Sequence, residues 1–237
     1  MVHFHENRWV AIVHECVAGV TFAQTPFHVC RSTCSILLLL FYFLRAPAFA
    51  QRDTIPFNTD WRFTVDREAR GFNEEWYAHE LPGSTPVTLP HTWNTNEATQ
   101  DHYGWGWYRK EFDVPPEWAE KNVVLRFGAI NHSAIIYVNG KSVAENNGDG
   151  FSAFAVVLNM ALRPGKNTIT VAVNNDYGRN KVPFGSSFDW PNDGGIIRKV
   201  MLIMSDRPAV ERIHASPTLK LADSSGTVGF ALDFWQD

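Results

Sequence analysis

Cysteine is scarce in this chain, and its placement excludes a fold held together by disulfides. The only three cysteines, Cys16, Cys30 and Cys34, lie within the first 34 residues. The rest of the chain has none, so its stability must come from a hydrophobic core. With 237 residues, 45% of them hydrophobic, the chain has enough apolar material for one core and part of a second.

Runs of positive charge are also missing, which argues against a nucleic-acid-binding surface. The formal net charge is −4, and no run of basic residues is longer than two. The sequence contains neither a G-x-S-x-G nucleophile elbow nor a phosphate-binding loop. The five histidines beyond residue 50 are scattered, without the H-x-x-x-H spacing of a metal site. We therefore expect no nucleic-acid partner and no cofactor, and we assign no metal ligands.

No apolar run is long enough to span a bilayer. Residues 36–44 read "ILLLLFYFL", nine residues against the roughly 20 that a membrane-spanning helix needs. Arg31 precedes this run and Ala48-Phe49-Ala50 follows it, which is typical of a secretory signal peptide cut after Ala50. The alternative is a buried helix or strand. We expect residues 1–50 to be an N-terminal extension and signal peptide, and the mature protein to be secreted or periplasmic, without a membrane anchor.

Helical periodicity is absent as well, and the pattern from residue 61 onward is that of short strands. No segment of ten or more residues repeats its apolar positions every 3.6 residues. Alternating runs recur about every ten residues, and Asn139-Gly140 predicts a two-residue hairpin. The predicted strand segments are 61–65, 107–114, 122–130, 134–145 around the hairpin turn, 154–162, 168–173 and 199–205. This pattern predicts an all-β antiparallel sandwich.

Asp206-Arg207-Pro208 indicates a domain boundary. Two further alternating runs follow it, "AVERIHASPTLKL" and "TVGFALDFW". Two strands alone are marginally stable in water, so they cannot form an independent domain. We expect residues 51–206 to form one sandwich domain and residues 207–237 to begin a second.

Aromatic residues are abundant, at 14% of the chain with nine tryptophans. Many must belong to the core, and we assign Trp93 and Trp107 to it. Exposed aromatic rings beside polar loops instead suit a ligand with apolar faces and hydroxyl edges, such as a sugar. The loop 92–110, "TWNTNEATQDHYGWGWYRK", has this mixture. Its candidate ligands are Asn94, Asp101 and Tyr103, whereas we assign structural roles to His91 and Arg109.

Five motifs occur together in an order and spacing that resemble one family. They are "LPHTWN" (89–94), "GWYRKEF" (106–112), "IIYVNGK" (135–141), "LRPGKNTITVAVNN" (162–175) and "DWPNDGGIIRKV" (189–200). They are similar to the N-terminal sugar-binding domain of glycoside hydrolase family 2, which includes β-galactosidases, β-glucuronidases and β-mannosidases. The resemblance covers roughly residues 55–205. It implies a jelly-roll-like, galactose-binding-domain-like sandwich, then an immunoglobulin-like sandwich, then a TIM barrel.

The resemblance also gives a role to the polar loop around Asp189. In the family, this aspartate lies on a loop that leaves the sandwich and binds hydroxyls of the terminal sugar, for which a carboxylate is a strong acceptor. Trp190 would pack on the sugar or wedge the loop, and Asn192 would offer a donor and an acceptor. Gly194-Gly195 would let the backbone turn sharply. The alternative is a solvated turn whose aspartate caps backbone amides.

The catalytic residues of the family, two glutamates on the barrel, cannot be assigned in this chain. Two Asn-Glu pairs, Asn73-Glu74 and Asn96-Glu97, lie inside the sandwich region, and we treat them as chance. We therefore expect the N-terminal, carbohydrate-binding part of an exported β-galactosidase-like retaining glycosidase, inactive without the immunoglobulin-like and barrel domains. Its partner is a terminal β-linked sugar. Two alternatives stay open: a stand-alone carbohydrate-binding module, and an adhesion or assembly domain.

Overall fold

The computed structural model describes residues 2–5, 8–13, 52–147, 149–178, 181, 185, 191–220 and 225–235. Within these residues the chain forms strands and two short 3₁₀ turns, and no α-helix. No helix there is long and apolar enough to cross a membrane. The chain divides into two units, residues 52–209 with 235–237 and residues 1–51 with 210–234.

Sixteen strands are formed by the described part of the chain. Their bounds are β1 Val2–His5, β2 Arg8–Val13, β3 Arg52–Pro56, β4 Trp61–Asp66, β5 Thr85–Val87, β6 His91–Thr92, β7 Trp105–Val114, β8 Asn122–Phe127, β9 Ser133–Val138, β10 Lys141–Asn146, β11 Phe154–Val157, β12 Gly165–Asn174, β13 Gly195–Ile196, β14 Val200–Ser205, β15 Val210–Lys220 and β16 Ser225–Phe234. The 3₁₀ turns span Trp93–Thr95 and Pro116–Glu120. Each strand segment predicted from the sequence overlaps one or more of these strands.

The larger unit contains two antiparallel sheets. One has six strands in the order β10-β9-β12-β7-β4-β5, and the other has four in the order β11-β8-β14-β3. Alternate residues of both sheets are buried in one hydrophobic core, including Phe63, Tyr108, Ile136, Val171, Leu125, Phe127 and Leu202. The all-β antiparallel sandwich predicted from the sequence is therefore confirmed.

A second apolar layer covers the other face of the six-stranded sheet. Trp76 and Leu81, from the segment before β5, pack there against Trp107 and Tyr137. The buried carboxylate of Asp66 fixes this segment. The carboxylate accepts hydrogen bonds from the backbone amides of Arg70 and Gly71, and from the Trp107 indole nitrogen at 3.2 Å. Trp107 is fully buried as predicted, but in this outer layer rather than between the sheets.

The Asn139-Gly140 hairpin has the geometry that its sequence predicts. Both residues have positive φ, 51° and 79°, and Val138 pairs with Lys141 on either side of them. These values are those of a type I′ turn, whose twist matches that of the flanking strands. The Asn139 amide also holds the neighbouring loop, because it donates to the Asn167 side chain at 2.8 Å.

The smaller unit contains one four-stranded antiparallel sheet in the order β1-β2-β16-β15. The β15 and β16 strands confirm the two strands predicted after residue 207, and they pair over most of their length. The His214 ring nitrogen lies 2.8 Å from the Asp233 carboxylate across this pair. The assignment of residues 1–50, 51–206 and 207–237 to separate domains stays a prediction.

Candidate functional site

Strand pairing brings two loops together at one end of the larger unit. Asn174, the last residue of β12, lies opposite Trp105, the first residue of β7. The loop that enters β7, which we call the first loop, therefore begins or ends at the same end of the sheet as the loop that leaves β12, which we call the second loop. The short β13 strand pairs with β6 nearby, with Gly195 opposite Thr92. Residues from three distant parts of the sequence meet at this end.

Four asparagines, Asn94, Asn131, Asn175 and Asn192, connect these segments, and we call them the asparagine network. Asn175 is fully buried at its centre. Its side-chain nitrogen donates to the Asn94 side-chain oxygen at 3.2 Å and to the Asn192 carbonyl at 2.9 Å. Its side-chain oxygen accepts from the Gly104 amide at 3.0 Å. The single Asn175 side chain thus links both loops.

Asn192 completes the network from the far side of the second loop. Its side chain is 2% exposed, and its nitrogen donates to the Asn175 carbonyl at 2.5 Å. Its oxygen accepts from the Asn131 side-chain nitrogen at 2.9 Å. Asn94 accepts the Gly194 amide at 2.8 Å and donates to the Gln100 and His102 carbonyls. A buried polar group left without such partners costs about 1–3 kcal/mol, so these contacts fix the described residues that they join.

The double glycine after Asn192 is explained by two different contacts. A Cβ atom on Gly194 would lie 2.1 Å from the indole ring of Trp93, so only glycine permits this approach. Gly195 has a φ of +145° and a Cβ there would lie 2.2 Å from the His91 carbonyl oxygen. The predicted unusual φ therefore applies to Gly195, whereas Gly194 serves close packing. Trp93 is fully buried, as predicted, and donates to the His102 carbonyl at 3.0 Å.

His91 has the structural hydrogen-bonding role predicted for it. Its Nδ1 lies 2.8 Å from the hydroxyl of Tyr108, which is fully buried. Burial raises the pKa of Tyr108 well above its ordinary value and lowers the pKa of His91. Both shifts favour the neutral forms near neutral pH, and in these forms the Tyr108 hydroxyl can donate to the imidazole. Arg109 likewise has structural partners, the Thr170 hydroxyl at 3.3 Å and Glu111 at 4.0 Å.

A buried histidine lies next to the network. His132 is 2% exposed, and burial, followed by the positive charge of Lys181, lowers its pKa. Lys181 itself donates to the Asp176 carbonyl at 2.7 Å and contacts the Asn174 side chain at 3.3 Å. Asn131 Oδ1 and His132 Nδ1 are buried atoms without a hydrogen-bond partner. The end of the sandwich therefore contains buried polar groups of several kinds.

The predicted site residues occupy three kinds of position. Asn94 and Asn192 belong to the asparagine network. Asp101 and Tyr103 are exposed on the first loop. Asp189 and Trp190 lie outside the described residues. The roles of all six as sugar ligands stay predictions. His102, on the same loop, is buried and its Nε2 lies 2.9 Å from the Trp105 carbonyl.

Sequence reasoning omitted Asn131, Asn175 and Tyr177. Asn175 follows the alternating run "TITVAV", and Asn131 follows "VVLRFGAI", so each lies where a buried strand gives way to a loop. An asparagine just beyond an apolar strand was the available indication. Among the described residues, no group of three or more His, Cys, Asp or Glu could hold a metal ion.

Comparison with known proteins gives this arrangement a family. Residues 56–206 match the family described as glycosyl hydrolases family 2, sugar binding domain. The curated relatives include β-glucuronidases of Paenibacillus borealis, 29% identical over 195 residues, and Bacteroides fragilis, 32% identical over 179 residues. Each alignment covers 73% of this chain, but only 32% and 24% of the respective relative. The chain thus spans about a third or less of their length.

Solved structures agree with the sequence comparison. A β-glucuronidase from an uncultured Clostridium sp. superposes with a TM-score of 0.68 at 31% identity, covering 78% of this chain and 34% of that one. A Ruminococcus gnavus β-glucuronidase in complex with D-glucuronic acid gives 0.67 at 25% identity, covering 78% and 35%. The chain belongs to glycoside hydrolase family 2, and its sandwich is the N-terminal sugar-binding domain of that family.

Proposed function

We propose that this chain is the N-terminal part of an enzyme that removes terminal β-linked uronic acids with retention of configuration. The support for this substrate is that the relatives named above are β-glucuronidases. A β-galactoside, the substrate class expected from the sequence, is the alternative. Retaining glycosidases use two carboxylates about 5–5.5 Å apart. We place this pair outside the present chain, which is therefore inactive alone.

The observation that carries the proposal is the position of the asparagine network. Asn175 and Asn192 directly bracket the segment 176–191, which contains Asp189 and Trp190. Because both side chains are buried and hydrogen-bonded, the two ends of this segment are fixed against the sandwich. Fixed ends keep the residues between them near this end of the sandwich, where recognition of sugar hydroxyls would require a carboxylate.

The test is a substrate panel with the complete enzyme encoded by the gene. We expect hydrolysis of 4-nitrophenyl β-D-glucuronide to exceed that of the galactoside and mannoside. Asp189→Ala should lower kcat/KM for the preferred substrate about 100-fold, because a charge-assisted hydrogen bond contributes about 1.5–3 kcal/mol. Preference for the galactoside would contradict the proposed substrate.

Asp113→Ala is the matched control for the Asp189 variant. Asp113 is an exposed aspartate on β7, eight residues from Trp105 and so about 27 Å from the network end of that strand. Its removal should leave kcat/KM unchanged. Wild-type kinetics in the Asp189→Ala enzyme would contradict the role of Asp189.

We also propose that the protein is exported, with cleavage after Ala50. The support is the order of Arg31, the apolar run 36–44 and Ala48-Phe49-Ala50. N-terminal sequencing of the protein recovered from its natural host should begin at Gln51. A mature protein that retains residues 1–50 would contradict export by this route.

A further inference from the structure

Two tyrosines stack on each other across the two loops, and we call Tyr103 and Tyr177 the tyrosine pair. Their ring centroids lie 5.3 Å apart with an angle of 29° between the planes. Both positions are fixed by the network: Tyr103 follows His102, whose carbonyl accepts from Trp93 and Asn94, and Tyr177 lies two residues after Asn175. The pair is therefore an ordered surface.

One ring of the tyrosine pair remains accessible to a ligand. Tyr103 is 43% exposed although it packs on Tyr177, which is half-buried. Among the described aromatic residues, Tyr177 alone packs on the Tyr103 ring. The other face of Tyr103 can therefore receive a further ring. An aromatic ring of a ligand, or the C–H face of a sugar, can stack on such a surface.

Negative charge borders the tyrosine pair. The pKa of the Tyr103 hydroxyl is raised, first by its hydrogen bond with Tyr177, then by burial, and then by the charges of Tyr177, Asp193 and Asp101. Both carboxylates belong to this end of the sandwich, because Asp101 lies two residues before Tyr103 on the same loop and Asp193 directly follows Asn192 of the network. They can accept hydrogen bonds from hydroxyl groups, but they repel a second carboxylate.

We propose that the tyrosine pair binds the leaving group of the substrate, an uncharged ring with an apolar face, and not the charged terminal uronic acid. This inference rests on the proposed function, because it assigns the two sides of the scissile bond to different residues. The stacking surface suits the leaving-group ring, and Asp101 and Asp193 exclude the uronate from it. The terminal sugar then belongs to the segment that contains Asp189.

A second tyrosine stack in the same sandwich provides a matched control. Tyr77 and Tyr137 stack with centroids 4.8 Å apart at 13°, in the layer that covers the six-stranded sheet. Tyr137 is only 8% exposed and Trp107 packs on it as well, so this stack is part of a packed layer. If every stacked pair of tyrosines bound the probe, substitutions in the two pairs would weaken probe binding equally.

The experiment is saturation-transfer NMR on the whole 237-residue chain. The probes are 4-nitrophenyl β-D-glucopyranoside, methyl β-D-glucopyranoside and sodium D-glucuronate. We expect transfer to the neutral probes, and the ratio between the aryl and the methyl glycoside shows whether an aryl ring or a neutral sugar is preferred. Tyr103→Leu and Tyr177→Leu should weaken this binding about 3- to 10-fold, as the loss of one aromatic contact predicts. Tyr77→Leu should not.

The outcomes separate this inference from the proposed function. Tyr103→Phe keeps the ring and should keep the binding, which also guards against a misfolded Tyr103→Leu variant. The inference is overturned if the wild-type chain binds no neutral probe, if D-glucuronate binds as strongly as the neutral probes, or if the leucine variants bind like the wild type. Because no hydrolysis is measured, each of these results leaves the test with 4-nitrophenyl β-D-glucuronide unaffected.

Discussion

The core between the sheets and three of the four asparagines of the network are equally buried, but different forces hold them. Val171 and Leu125 are within 1% of full burial and contribute through the apolar area that they remove from water. Asn175 is also fully buried, yet its contribution depends on three directed hydrogen bonds. An apolar core accepts substitutions of similar volume, whereas a polar network fails when one partner is removed. The network is therefore suited to fixing the residues at the ends of these loops.

The largest effect should come from the residue that belongs to both regions. Trp93 packs on Phe63 in the core, with centroids 5.6 Å apart, and donates to the His102 carbonyl within the first loop. Trp93→Ala should reduce the free energy of unfolding by about 3–5 kcal/mol, because it leaves a large cavity. Urea denaturation of the chain measures this. Met160→Ala, at an 84% exposed position, should change it by about 0.5 kcal/mol or less.

The next effect tests whether the network depends on direction or on volume. Leucine has nearly the shape of asparagine and is more apolar, so a site that required only volume would accept Asn175→Leu. We expect instead a loss of about 1–3 kcal/mol, because the Gly104 amide and the Asn192 carbonyl lose their partner, and the Asn94 oxygen keeps only the Gly194 amide.

The matched control for Asn175→Leu is Asn147→Leu. Asn147 is exposed, with one hydrogen bond to Glu145. Its replacement should leave the free energy of unfolding nearly unchanged in urea denaturation. Equal stability of the Asn175 variant and the wild type would show that the network is no different from the apolar core.

The smallest effect is a pH dependence to which the buried His132 beside the network should contribute. Burial and Lys181 lower the pKa of His132 below 6.5 in the folded state, with Asp149 opposing them. The unfolded chain, with the ordinary pKa, therefore binds the proton more readily. The stability that neutral His132 contributes should be fully present above pH 6.5. It should be lost as the pH drops below 6.5, by at most about 1.4 kcal/mol per pH unit.

His132→Gln should make that dependence shallower between pH 5 and 7, as followed by urea denaturation at each pH. His79→Gln, at an exposed position, serves as the control. An unchanged slope in the His132 variant would show that its protonation is not linked to folding.

The core could be predicted from the sequence because its information is local. The alternation of Val123, Leu125 and Phe127 predicts a buried strand face, and Asn139-Gly140 predicts its turn from two residues. The asparagine network has no such local pattern. Asn94, Asn131 and Asn175 are separated by about 40 residues each, and only the strand pairing brings their amides into contact.

The prediction of Asn192 shows how far a local motif can lead. Its place in "DWPNDGG" led to its prediction as a sugar ligand, and in the structure its side-chain nitrogen donates to Asn175 and its oxygen accepts from Asn131. Direct contact with the sugar is untested. The outer position of Trp107 was equally beyond local reasoning, because the segment that covers it lies about 30 residues earlier in the chain.

The most direct test of the central claim is the activity of Asn175→Leu in the complete enzyme, at a temperature where thermal unfolding shows it to be folded. If the network positions the segment 176–191 at the sugar, kcat/KM for 4-nitrophenyl β-D-glucuronide should fall at least about 10-fold, while Asn147→Leu retains wild-type kinetics. Wild-type kinetics in a folded Asn175→Leu enzyme would contradict the claim, since the network would then stabilise the sandwich without shaping the site.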